Sequence, residues 1–114
     1  MPEPTVRGMV MQIQAEMRVG WLDPDQAREH LIRLTALYGN CLQEIREADA
    51  SYAVVLLAHL DSSEKANRAK IRAETSEEYQ RKREAQDTEK LVIESIRSLK
   101  YYLRSQEEEV RLAR

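Results

Sequence analysis

Apolar and polar residues alternate with a helical period along almost the whole chain. From Leu31 onward, Leu34, Tyr38, Cys41, Ile45, Ala48, Tyr52, Val55 and His59 recur at steps of three and four. That spacing keeps one face of a helix turned toward a partner helix. Upstream, Val6, Val10, Ile13 and Met17 follow the same rule, with Met9 and Met11 beside them and Pro4 suited to a first turn. Downstream, Ala85, Val92, Ile96, Leu99, Leu103 and Val110 form a third apolar stripe. Between these stripes, 65–74 keeps only small residues at helical spacing, Ala66, Ala69 and Ala73, with charge on its other faces. From Tyr52 to Leu60 the chain is apolar on nearly every side, so that stretch needs more than one neighbour.

Start and stop signals divide this pattern into elements. Gly20 suits the end of a first helix, and Trp21-Leu22 leads to the next start. Asp23-Pro24-Asp25-Gln26 offers an N-cap, a proline at the first helical position, an acidic first turn and a capping-box glutamine. Gly39-Asn40 are poor helix formers, but the period resumes in phase beyond them, which predicts a mild bend rather than a break. Asp61-Ser62-Ser63-Glu64 and Thr75-Ser76-Glu77-Glu78 each read as a cap followed by a new helix, and no Gly or Pro occurs after Gly39. The predicted helices are 4–19, 24–60, 62–74 and 76–112, within a single domain spanning 1–114. The expected fold is all-α: an elongated antiparallel helical hairpin, coiled-coil-like, with a short N-terminal helix, assembled as a dimer. Its longest helices would reach roughly 54 Å at 1.5 Å per residue, against roughly 35 Å for a compact globule of this chain length.

Composition adds constraints. Charged residues are 33% of the 114, aromatics 5%, and there is no Phe, which favours long helices with charged faces over sheets. The formal charge of -2 provides no global attraction to nucleic acid or an anionic membrane, so any such attraction is local. The one cysteine, Cys41, excludes an internal disulfide, and its place in the seam suggests a small buried hydrophobe. The start Met1-Pro2-Glu3-Pro4-Thr5 lacks the features of a signal peptide, and the run Ala53 to Ala58 is too short to span a bilayer. A cytoplasmic protein without membrane contact is expected.

Chemistry-bearing patterns are sparse. Neither His30 nor His59 has neighbours at zinc-ligand spacing, and His59 lies in the seam as a core histidine. Glu44 and Asp49, or Asp87 and Glu94, are ordinary helix charges without a motif to join them, and there is no Gly-rich phosphate loop. No enzyme activity, metal, cofactor or small-molecule substrate is expected. The sharpest cluster is basic: Lys65, Arg68, Lys70 and Arg72, then Arg81, Lys82 and Arg83, with a second row at Arg97, Lys100 and Arg104 beside Tyr101 and Tyr102. Helical basic side chains hold phosphates and tyrosines stack on bases. The plain alternative is a solvated face, because Glu64, Glu74, Glu77, Glu78 and Glu84 intersperse the cluster and tyrosines also pack between helices. Tyr52, Val55, Leu56, His59 and Leu60 are the candidate interface of a homo-oligomer.

The last third, Ser76-Glu-Glu-Tyr79 through Ile96-Arg-Ser-Leu-Lys100-Tyr-Tyr-Leu103-Arg-Ser-Gln-Glu-Glu, resembles the small helical proteins that bacteriophages encode near replication and recombination genes. The resemblance rests on the helix pattern and the Leu-Lys-Tyr-Tyr-Leu run, and carries over no functional residue. It implies a non-catalytic accessory protein that binds DNA or another protein. The expected function is therefore contact with nucleic acid, or with a nucleic-acid-processing complex, through basic helical faces. The rival is a helical inhibitor or adaptor that binds a host or phage protein, and a third possibility is a structural virion component.

Overall fold

The computed structural model describes residues 5–19, 22–62 and 65–113. The expectations placed on Pro4, Gly20, Trp21, Ser63 and Glu64 lie outside them. The described residues form α1 (Val6–Arg18), α2 (Pro24–Asp61), α3 (Ala66–Glu74) and α4 (Glu77–Leu112), with no strand among them.

The helix starts follow local chemistry. Asp23 Oδ1 accepts from the Gln26 amide at 2.8 Å, and Gln26 Oε1 accepts from the Asp23 amide at 3.2 Å, the reciprocal pair of a capping box. Such a cap stabilises a helix by about 1 kcal/mol. The Thr5 hydroxyl caps α1 through the Gly8 amide, and the Ser76 hydroxyl caps α4 through the Tyr79 amide, with Glu77 and Glu78 favouring the positive helix end. α2 continues through Gly39-Asn40 as one helix, since both residues face outward and helix propensity is all that opposes them.

The third helix starts later than the 62 predicted from the sequence. Ser62 donates its hydroxyl to the His59 carbonyl at 2.8 Å, closing the end of α2 instead of opening a new helix. Lys65 holds the N-cap position of α3 without a side-chain hydrogen bond.

α2 and α4 run antiparallel. Near one end Asp49 pairs with Lys82 and Tyr52 meets Tyr79, while near the other Pro24 and Arg28 share a groove with Leu103, Gln106 and Val110. α1 lies along the latter half of this hairpin, parallel to α4: Arg7 donates to Thr88 Oγ1 at 3.2 Å, Gln14 to Ser95 Oγ at 3.1 Å, and the Tyr102 hydroxyl to the Leu22 carbonyl. α3 covers the other end, against the last turns of α2.

The core gathers Val6, Val10 and Ile13 of α1, Ala27, Leu34, Leu37 and Cys41 of α2, and Val92 and Leu99 of α4. Toward α3 the buried residues become small, Ala48, Ala69, Ala73 and Ala85, so the helices approach closely while burying little apolar area. The α2 seam is rotated relative to the expected stripe: Leu37 is buried, whereas Tyr38 and Ile45 are half-buried. α1 causes this, because it packs on the flank that carries His30 and Leu37 and touches His30 through Glu16. Of the expected α4 stripe, Ala85, Val92 and Leu99 are buried, Ile96 and Leu103 half-buried, and Val110 is 55% exposed beyond the reach of α1.

The molecule measures 72 × 33 × 20 Å, with a radius of gyration of 19.6 Å. A compact chain of this length would have a radius of gyration of about 13 Å. The elongation follows from two helices of 38 and 36 residues lying side by side.

Candidate nucleic-acid interface

The expected basic residues are nearly all on the surface, but they do not form one patch. On α3, Ala69 and Ala73 face inward; helix geometry puts Lys65, Arg68 and Arg72 on one flank of them and Lys70 on the other. Lys70 borders an open groove with Tyr52, Leu56, Leu60, Ala66, Glu74, Tyr79 and Lys82. Arg81 is exposed on the opposite side of α4, at a groove shared with Glu44, Glu47 and Glu84.

Lys82 is committed to the fold. Its ammonium lies 3.4 Å from Asp49 and 4.8 Å from the centre of the Tyr52 ring, and the Tyr52 and Tyr79 rings are 5.5 Å apart. These contacts fasten α4 to α2 where the fully buried residues are alanines. Arg83 donates to the Tyr79 hydroxyl at 3.2 Å. This hydrogen bond, then the charges of Tyr79 and Asp87, hold its guanidinium above the ordinary arginine range, so it carries its charge at every working pH.

On the remainder of α4 the structure adds residues to the expected row. The inward positions Ala85, Val92 and Leu99 recur every seventh residue, and Arg83, Lys90, Arg97, Arg104 and Arg111 recur with the same period on the outward face, all exposed. Successive members are about 10.5 Å apart and the row extends about 42 Å. Along a straight helix it drifts by about 20° per heptad. Lys90 and Arg111 stand outside the local basic clusters of the sequence, and their seven-residue period with Arg83, Arg97 and Arg104 is defined only by the buried face opposite them. Lys100 and Tyr101, the latter 74% exposed, lie beside Arg97 and Arg104, whereas Tyr102 is half-buried and bonded to Leu22.

Asp87, Glu94 and Glu108 follow Arg83, Lys90 and Arg104 by four residues. A base preceding an acid is the weaker orientation for such helical pairs. Among the described residues, Glu108 pairs with Arg111 at 3.7 Å, and no ion pair involves Arg83, Lys90, Arg97 or Arg104.

The residues expected at an oligomer interface lie on the side of α2 that faces α3 and α4. Tyr52, Leu56 and Leu60 line the groove against α3 and α4, and Val55 and His59 are half-buried on the same inner side of α2. His59 is thus less enclosed than a core histidine; His30 is the buried one, with Nε2 3.6 Å from Glu16 Oε2 and Nδ1 without a hydrogen-bond partner among the described residues. Cys41 is buried as expected, and burial, then Glu44 and Glu89, push its thiol up from the ordinary range. No group of three or more His, Cys, Asp or Glu among the described residues could hold a metal ion. Among those residues no helix is long and apolar enough to cross a membrane.

No protein-family model matches the chain, and neither a curated protein nor a solved structure does.

Proposed function

We propose that the protein is a non-enzymatic accessory factor that contacts nucleic-acid phosphates through the outward face of α4. The observation that supports this is the basic row Arg83, Lys90, Arg97, Arg104 and Arg111, on a rigid helix whose opposite face is spent on packing. Its densest part is Arg97, Lys100 and Arg104 around the exposed ring of Tyr101, which suits stacking on an unpaired base. The neighbouring acids and the net charge of -2 keep affinity modest and strongly salt-dependent. A phage-encoded role beside replication or recombination enzymes is the setting that the likeness of the last third implies.

Fluorescence anisotropy with labelled single- and double-stranded DNA at low salt tests this proposal. The triple variant Arg97→Glu/Lys100→Glu/Arg104→Glu should lose binding at least about tenfold. With duplex DNA its salt dependence should be shallower by about 2.7 in log–log slope, three phosphate contacts at about 0.9 each. Absence of binding at low salt, or binding indifferent to this variant, refutes the proposal. The rival reading, a helical protein-interaction module, is favoured by one observation: Val54 and Leu57 are 67% and 57% exposed on neighbouring turns of α2.

A further inference from the structure

The outer face of α2 is polar along most of its length but turns apolar near its end. Around Ile32 its outward neighbours are Asp25, Arg28, Thr35, Gly39 and Gln43. From 50 onward the same face presents Ala50, Ala53, Val54 and Leu57, all exposed, while Tyr52, Val55, Leu56 and His59 turn inward. The patch is bounded by Arg46 on one side and Asp61 on the other, both exposed and neither in an ion pair among the described residues.

We propose that this face binds a second copy of the chain, antiparallel, about a two-fold axis passing between Ala53 and Val54. An isologous contact must match a surface to its own reverse. About that axis the face does so: Ala50 opposes Leu57, Ala53 opposes Val54, and Arg46 opposes Asp61, each pair occurring twice. Every large apolar side chain thus meets an alanine, which lets the helices interdigitate, and each end is closed by opposite charges. Shifting the register by one heptad toward the helix start sets Leu57 against Gln43 and Val54 against Arg46, and shifting it the other way sets Leu57 on Leu57 and Ala53 on Asp61; both shifts remove the two charge matches. The contact spans about 22 Å of helix, from Arg46 to Asp61, which puts it in the small, transient class of interfaces rather than among permanent dimers. It leaves the outward basic row of α4 out of the contact, since α4 packs on the opposite side of α2, and it does not depend on nucleic-acid binding.

Sedimentation equilibrium of the full chain over a wide concentration range is the test. The mass should rise from 13.3 kDa toward twice that value as concentration increases. Leu57→Glu, at an exposed position, should abolish the rise while leaving the helical circular dichroism unchanged. Arg46→Glu and Asp61→Arg should each weaken association several-fold, and the double variant should restore it, because the antiparallel register pairs each residue with the other. A chain that stays monomeric throughout, a dimer untouched by Leu57→Glu, or a double variant as weak as the single ones would each overturn the proposal.

Discussion

Replacing His30 by leucine should stabilise the protein, although it deletes the contact from α2 to Glu16 of α1. His30 is 8% exposed, and its Nδ1 has no hydrogen-bond partner among the described residues. Leaving a buried polar atom unsatisfied costs about 1–3 kcal/mol. Against this stands the contact from Nε2 to Glu16 at 3.6 Å, whose carboxylate side chain is 44% exposed and screened by water. A pair of that kind contributes at most about 1 kcal/mol. Leucine also places apolar carbon among the core residues of α1 and α2 in a comparable volume, so the balance favours His30→Leu by about 1 kcal/mol. In urea denaturation the midpoint should rise by about 0.5 M if the slope is about 2 kcal/mol per molar. His30→Ala separates the terms: it removes the same polar atoms but leaves a cavity, and should fall below wild type. If His30→Leu unfolds at lower urea than wild type, the imidazole contributes more through Glu16 than its unpaired Nδ1 costs, the reverse of this expectation.

Three further outcomes follow from the packing. Gly39→Ala should raise stability by about 1 kcal/mol, since a Cβ there meets nothing within 4 Å and the residue is helical; no change in thermal midpoint would mean that the helix is already frayed at that point. Leu99→Ala, at a position 1% exposed, should cost about 2–5 kcal/mol, while Val110→Ala, at one 55% exposed on the same expected stripe, should stay within about 0.5 kcal/mol; equal losses in a denaturation experiment would contradict the core described here. Cys41 should react with a thiol reagent only through opening of the fold, because the thiol is buried and its titration is displaced upward. Since its folded value lies above its unfolded one, its contribution to stability is complete below the unfolded value and declines as pH rises through the folded one. Labelling of the native protein as fast as of the urea-unfolded chain would refute this.

Much of the fold was legible in the residues. Asp23-Pro24-Asp25-Gln26 and Thr75-Ser76 marked helix starts because a capping side chain needs only its own next three residues to act. The length of α2 and α4, and with it the elongated shape, followed from the absence of breakers after Gly39. Leu34, Cys41, Ala48, Val92 and Leu99 were recognisable as inward positions because a period of three and four residues is a property of the helix alone.

Tertiary structure decided what each face meets. Thr88 and Ser95 carry no apolar signal, yet both are buried because α1 brings Arg7 and Gln14 to their hydroxyls. The seam of α2 turned toward Leu37 because α1 covers that flank, and Val110 stayed exposed because α1 ends short of it. The all-round apolar stretch from Tyr52 to Leu60 divided into an inner set against α3 and α4 and an outer pair, Val54 and Leu57, left facing solvent. On α4, burial of Ala85, Val92 and Leu99 left the five-membered basic row on the outward face. Periodicity and capping are local, so the chain carries them in order along itself; burial depends on which neighbour arrives from far away in sequence, and only the packed structure contains that.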